Sequence, residues 1–149
     1  MKFEDEIKQS AFKDPYEKVT LNVIYTGHWL RDKTEAILKA HHINDQHYNI
    51  LRILRGSFPK VLCPGDVKAV LINKRGDLTR LLDKLVNMNL VKREANAENR
   101  RMVNLLISDE GLQLLTKLDP YFLEFRKLED NLTAKEATQL SDLLDKLRG

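Results

Sequence analysis

The chain has 149 residues, 42% of them apolar and 32% charged, a composition that fits one domain with a packed core and excludes global disorder. Its longest uninterrupted apolar run, Ala69–Ile72, is far short of the roughly 18 residues of a membrane span. The acidic start MKFEDEIKQS is unlike a secretory leader, and one cysteine permits neither an internal disulfide nor a cysteine zinc cluster. A cytoplasmic protein without membrane attachment or cofactor is expected, and the net charge of +3 identifies no partner by itself.

In chain order, Asp14-Pro15-Tyr16-Glu17 predicts a helix start: Asp as N-cap, Pro at the first position, Glu three residues after the cap. Tyr16, Val19, Val23, Leu30, Ile37 and His41 then form one stripe, and Leu21, Ile24 or Tyr25, and His28 a second, partly apolar face. One long helix to about Ala40 is predicted, with more apolar surface than a single domain of this size needs to bury. Asn44 caps a second helix from Asp45 to about Arg55, and Ile50, Leu51 and Leu54 face inward. A third opens at Pro64 and runs through Val67, Val70 and Leu71. After a turn at residues 73–76, a fourth carries Leu78, Leu81, Leu82, Leu85 and Val86 and ends near Met88. Asn89 is placed just past its end, in the left-handed conformation that Asn tolerates.

The hydrophobic period then changes. Val91 and Arg93, and later Val103, Leu105 and Ile107, alternate with their neighbours, which predicts a β-hairpin with a charged tip at residues 95–100. Ser108-Asp109-Glu110-Gly111 opens another helix. Its stripe of Leu114, Leu118, Tyr121, Phe125, Leu128 and Leu132 is close to a heptad seam, with a kink expected at Pro120. Thr133-Ala134-Lys135-Glu136 is a capping box for a last helix bearing Ala137, Leu140, Leu144 and Leu147 on one side.

A helix pair joined by a short turn and followed at once by a hairpin is a winged helix-turn-helix. In that motif the second helix enters the major groove and the hairpin reaches neighbouring backbone or the minor groove. The fold class is therefore mainly α with a small β-hairpin wing. Charge follows the same map. Residues 73–101 hold eight bases against four acids, while the rest of the chain has 17 bases and 18 acids. The whole basic surplus lies over the turn, the second helix and the hairpin, the footprint of a nucleic-acid-binding segment.

These residues resemble the MarR family of transcriptional regulators. The likeness runs through Asn44–Leu54, Gly76-Asp77-Leu78-Thr79-Arg80-Leu81-Leu82-Asp83-Lys84-Leu85-Val86, Asn89–Glu94, Asn99-Arg100-Arg101 and Ile107–Gly111. It covers nearly the whole chain, as a single domain with residues 44–108 forming the DNA-binding lobe and residues 14–43 and 109–149 the dimerisation helices. The resemblance implies a homodimeric regulator, a repressor, binding double-stranded DNA at a pseudo-palindromic operator and released by a small aromatic or lipophilic ligand. It assigns Gly76, Asp77, Thr79 and Arg80 to base edges, Lys74, Arg75 and Lys84 to phosphates, and Arg100 and Arg101 to the wing. Tyr25, His28 and Trp29 lie near where the family binds effectors, although dimer packing explains them equally well.

The chain departs from the family at three points. Asn99 stands where the family usually has an Asp paired with the wing arginine at Arg101. Asn89 replaces a Gly, and Asp77, which favours the helix dipole, repels phosphate and is better placed to accept from a cytosine amino group. The alternative for Arg80 and Lys84 is surface pairing with Asp77 or Asp83. Cys63, directly before Pro64 where Ser or Thr usually caps, is expected to be a small structural residue. His41, His42 and His47 straddle a helix boundary, so no metal site is expected. No Ser/His/Asp grouping or glycine-rich phosphate loop points to an enzyme. The rival function is a winged-helix adaptor that binds protein, since the fold alone does not dictate DNA.

Overall fold

The structure, a computed structural model, describes residues 2–97, 99, 102–123 and 130–149. The described elements are α1 (Phe3–Ile7), α2 (Pro15–Ala40), α3 (Asp45–Ser57), α4 (Pro64–Val70), α5 (Leu78–Asn87), β1 (Val91–Ala95), β2 (Val103–Ile107), α6 (Asp109–Leu123) and α7 (Ala134–Arg148). The chain is mainly α with one antiparallel hairpin, and it divides into two compact units, Met1–Tyr48 and Asn49–Gly149.

In the first unit α2 begins as its sequence dictates: Asp14 is extended and its carboxylate accepts from the Glu17 amide at 2.8 Å. His42, in the left-handed region at φ 58°, closes the other end, and the Ile43 amide reaches back to the Leu38 carbonyl at 3.1 Å. Only Leu38 of this 26-residue helix is buried, whereas Tyr16, Val19, Val23 and Ile24 are exposed. The apolar excess legible in the sequence is thus left open on the single chain.

The short helix α1 was not expected. Phe3 packs its ring 6.0 Å from that of Phe12 and edge-on, at 5.7 Å, to Tyr25. The Tyr25 hydroxyl donates to Glu6 at 3.0 Å, which holds the phenol above its usual range. Lys18 pairs with Glu4, holding that carboxyl low, and also lies over the Phe12 ring. The start of α3 carries a reciprocal cap in which an imidazole takes the usual carboxylate role. The His47 amide donates to Asn44 Oδ1 at 3.0 Å, and the Asn44 amide donates to His47 Nδ1 at 3.2 Å. One member of the histidine cluster is thereby a buried structural group.

The second unit holds a core of Ile50, Leu51, Leu54, Val67, Leu82, Leu85, Leu105, Ile107, Leu115 and Leu118, each essentially without solvent contact. Cys63 caps α4: its sulfur accepts from the Asp66 amide at 3.4 Å, and the Asp66 carboxylate accepts from the Cys63 amide at 2.9 Å. The bond from the Cys63 amide, with the Cys63 side chain beside it, favours the ionised acid and holds Asp66 below its usual range. Just before it, Leu62 exchanges both backbone hydrogen bonds with Leu105, so β2 is paired on its second side as well. The β1–β2 register runs from Val91 opposite Ile107 to Ala95 opposite Val103.

After α5, Asn89 adopts φ 57° as expected, and the Leu90 amide returns to the Leu85 carbonyl at 2.9 Å. The buried Ser108 joins three elements. Its hydroxyl donates to the Asn89 carbonyl at 2.6 Å and accepts from the Gly111 amide at 3.0 Å, while its own amide donates to Leu90 at 3.1 Å. A Cβ on Gly111 would lie 2.3 Å from the Leu90 carbonyl oxygen, so only glycine permits this approach.

The seam expected from Leu114 to Leu132 is only partly helical as described. Phe125 and Leu128 lie outside the described residues, and Leu132 sits in the bend before Thr133. Within α6 the buried face is Gly111, Leu115 and Leu118, with Leu114 half-buried and Tyr121 exposed. The intramolecular core thus takes a face offset from the heptad seam. Pro120 lies inside the helix. The Thr133–Glu136 capping box of α7 forms as expected and holds Glu136 below its usual range, while Leu140, Leu143 and Leu147 stay exposed.

Gly111→Ala is expected to lower the unfolding free energy by about 2 kcal/mol or more, because the added methyl must displace the Leu90 backbone. Urea denaturation checks this, and a change within about 0.5 kcal/mol would contradict the close approach.

Candidate nucleic-acid interface

The turn between α4 and α5 is built from side-chain hydrogen bonds to backbone. Leu71 turns extended and ends α4. The Ile72 amide donates to Asn49 on α3 at 3.1 Å, and the Arg75 amide donates to Asn73 at 3.1 Å, an Asx turn. Lys74 and Arg75 are exposed at its tip. Asp77 is the N-cap of α5: its carboxylate accepts from the Arg80 amide at 3.2 Å. That gives the acid a structural reason to stand at the front of the helix, beside the base-reading role expected for it. A cap of this kind contributes about 1 kcal/mol.

The helix presents two unlike faces. Leu81, Leu82 and Leu85 are buried, while Thr79, Arg80, Asp83 and Lys84 are exposed. The apolar face fixes the rotation of α5 about its own axis, which leaves Arg80 and Lys84, four residues apart, on one open stripe. Gly76 is partly buried at the helix entrance. Seven of the nine residues expected to touch DNA thus lie along one turn and one helix. The other two, Arg100 and Arg101, lie outside the described residues, as does the expected contact of Asn99 with Arg101.

Asp83 does not pair with Arg80 or Lys84. Its carboxylate instead accepts from Arg93 on β1 at 2.7 Å, a bridge with both side chains partly exposed. The pair ties the outer face of α5 to the hairpin and neutralises one charge of each sign, so the local surplus of four is unaffected. It spans ten residues across two elements, and no helical spacing signals it. The hairpin tip is braced by asparagines: the Asn99 amide donates to Asn96 Oδ1 at 3.0 Å and Asn96 Nδ2 donates to Asn104 at 3.1 Å. Between the N-terminal ends of α4 and α5 and the hairpin lies a groove of about 500 Å³, bordered by Lys68, Asp77, Thr79 and Arg93.

The three expected effector residues have different neighbours. Tyr25 is engaged by Glu6 and Phe3 of the N-terminal arm, His28 Nδ1 accepts from Arg31, and Trp29 carries the Lys33 ammonium 4.2 Å from its ring centre. Among the described residues no group of three or more His, Cys, Asp or Glu side chains is placed to hold a metal, and no helix is long and apolar enough to cross a membrane.

No family model matches the chain. It is similar to the HTH-type transcriptional regulator PapX of Escherichia coli, 28% identical over 121 residues that cover 79% of this chain and 73% of PapX. Among solved structures, it resembles a MarR transcription factor from Planctomyces limnophilus, 29% identical with a TM-score of 0.68 over 91% of this chain and 98% of that one. It also resembles a cysteine-to-serine variant of E. coli MarR complexed with operator DNA, with a TM-score of 0.78, 24% identity, and coverage of 93% and 99%. The chain thus has the winged helix-turn-helix fold of these proteins, and its sequence is similar to those of HTH-type and MarR-family transcriptional regulators.

Proposed function

We propose that this protein is a DNA-binding transcriptional regulator, a repressor, that acts as a homodimer on a pseudo-palindromic operator. The observation that carries the reading is α5, whose buried leucine face holds Thr79, Arg80 and Lys84 outward behind a turn bearing Lys74 and Arg75. Gly76, Asp77, Thr79 and Arg80 are assigned to base edges, with Arg80 suited to a bidentate contact with guanine. Lys74, Arg75 and Lys84 are assigned to phosphates, and Arg100 and Arg101 to the wing. The winged-helix adaptor is not favoured, because the basic surplus is concentrated in residues 73–101 and proteins of the same fold are solved with DNA.

Residues 14–43 and 109–149 are assigned to dimerisation and 44–108 to the DNA-binding lobe. Exposed apolar side chains support this at both ends: Tyr16, Val19 and Val23 on α2, and Leu140, Leu143 and Leu147 on α7. A second copy buries such surface at about 25 cal/mol per Å². A small aromatic or lipophilic effector at Tyr25, His28 and Trp29 regulates the protein by preferring one spacing of the two α5 helices over another. The compartment assigned is the cytoplasm.

Selection of genomic DNA fragments on the purified protein at physiological salt tests the reading. Recovery of fragments sharing an inverted repeat is expected, and binding no tighter than to random duplex would sink it. Arg80→Ala should cost roughly 1–3 kcal/mol on the selected site and relax preference at one base pair, with equal losses on random DNA making it a phosphate contact instead. Lys84→Ala should weaken binding evenly and make the salt slope shallower by about one unit, a slope that titration at several salt concentrations measures. Asp83→Ala should reduce stability by no more than about 1 kcal/mol, since the bridge is partly exposed. It should also tighten binding to random duplex at low salt by releasing the Arg93 charge. Thermal melting and titration against random duplex read the two effects.

A further inference from the structure

Helix α6 is attached to the rest of its unit in two chemically different ways. At its start, Ser108 and Gly111 lock the first turn onto the Asn89–Leu90 backbone. Eight residues beyond Gly111, about 12 Å along the axis, Asp119 receives a two-pronged bond from Arg55 in the last turn of α3. Arg55 Nη1 lies 2.8 Å from Oδ2 and Nη2 3.0 Å from Oδ1. The buried Leu115 and Leu118 lie between the two attachments. Apolar contacts resist separation but are weakly directional, whereas a planar guanidinium–carboxylate fork fixes roll and register together.

The position of the fork is also telling. Asp119 directly precedes Pro120, which has no amide hydrogen to donate to the Thr116 carbonyl. The helix therefore lacks a backbone rung next to the fork. An ion pair this exposed adds little stability, so its contribution is one of geometry.

We propose that the Arg55–Asp119 pair is a positioning latch for DNA recognition, fixing the orientation of α6 relative to the body that carries α5. The inference rests on the regulatory reading above, in which α6 belongs to the dimerising segment and α5 enters the groove. In such a dimer the angle between the two helices sets the distance between half-sites, and a displacement of about 3.4 Å is one base-pair step. The latch therefore acts on binding to a correctly spaced operator and leaves contact with arbitrary duplex nearly untouched.

The test compares full-length Arg55→Ala, Asp119→Ala and the double variant with the wild type. One arm measures affinity for a genomic fragment selected by the wild type and for random duplex. Each single variant is expected to lose about tenfold on the selected fragment and less than about twofold on random duplex, with the double variant no worse than either single. The other arm measures amide hydrogen exchange and needs no DNA: amides 116–119 should exchange about tenfold faster, with those of residues 82–85 unchanged. Additive losses, equal losses on both DNAs, unaltered exchange in α6, or faster exchange spread through α5 would each overturn the latch. Failure of the wild type to select any fragment would sink the regulatory reading instead, and the exchange arm would still decide whether the pair holds α6.

Discussion

The arrangement of the second unit depends on one close approach, that of the first turn of α6 to the backbone where α5 ends. Asn89 must turn left-handed to end α5, which leaves its carbonyl needing a donor, and the Ser108 hydroxyl supplies one. The same oxygen accepts from Gly111, whose missing side chain lets the helix lie against the Leu90 carbonyl. A serine, a glycine and an asparagine thus fix where α5 stops, where the hairpin returns and where α6 leaves. Each of them satisfies or accommodates a backbone group that would otherwise be buried at a cost.

The basic surface follows from that arrangement. Because Leu81, Leu82 and Leu85 all face the core, Arg80 and Lys84 have no inward option. The two acids at the start of and within α5, Asp77 and Asp83, are placed so that they do not pair with them. Asp77 is turned toward the backbone amides at the helix start, and Asp83 is held by Arg93. Each carboxylate thus has a structural occupation, and the cations beside them stay open to a polyanion. A count of charges along the chain cannot distinguish an acid that quenches a binding surface from one that braces it.

Much of this was legible in the sequence, and what was not has physical reasons. The start of α2, the box at Thr133, the cap at Asn44, the left-handed Asn89 and the two strands depend on local chemistry, so residue type and spacing disclosed them. Cys63 behaves as the capping residue its place before Pro64 implied. By contrast, α1 has no side-chain cap and only five residues, and the packing of Phe3 on Phe12 and Tyr25 is what it depends on. The Asp83–Arg93 and Arg55–Asp119 bridges join residues 10 and 64 positions apart, separations that carry no periodic signal. Among the candidate site residues, the turn and α5 were readable because amphipathicity fixes which side is open. Tyr25 was harder, because what covers it comes from another part of the chain.

The hairpin itself has an uneven pair of margins. β2 is hydrogen-bonded on both sides, to β1 and through Leu105 to Leu62, whereas β1 has no strand beyond it among the described residues. An open strand margin is a template on which another chain can add, and the row Lys92-Arg93-Glu94 meets that hazard with three exposed charged residues in succession. An approaching strand would have to strip water from those groups to pair with it. The charged row along β1 therefore guards the open margin of the hairpin against edge-to-edge pairing.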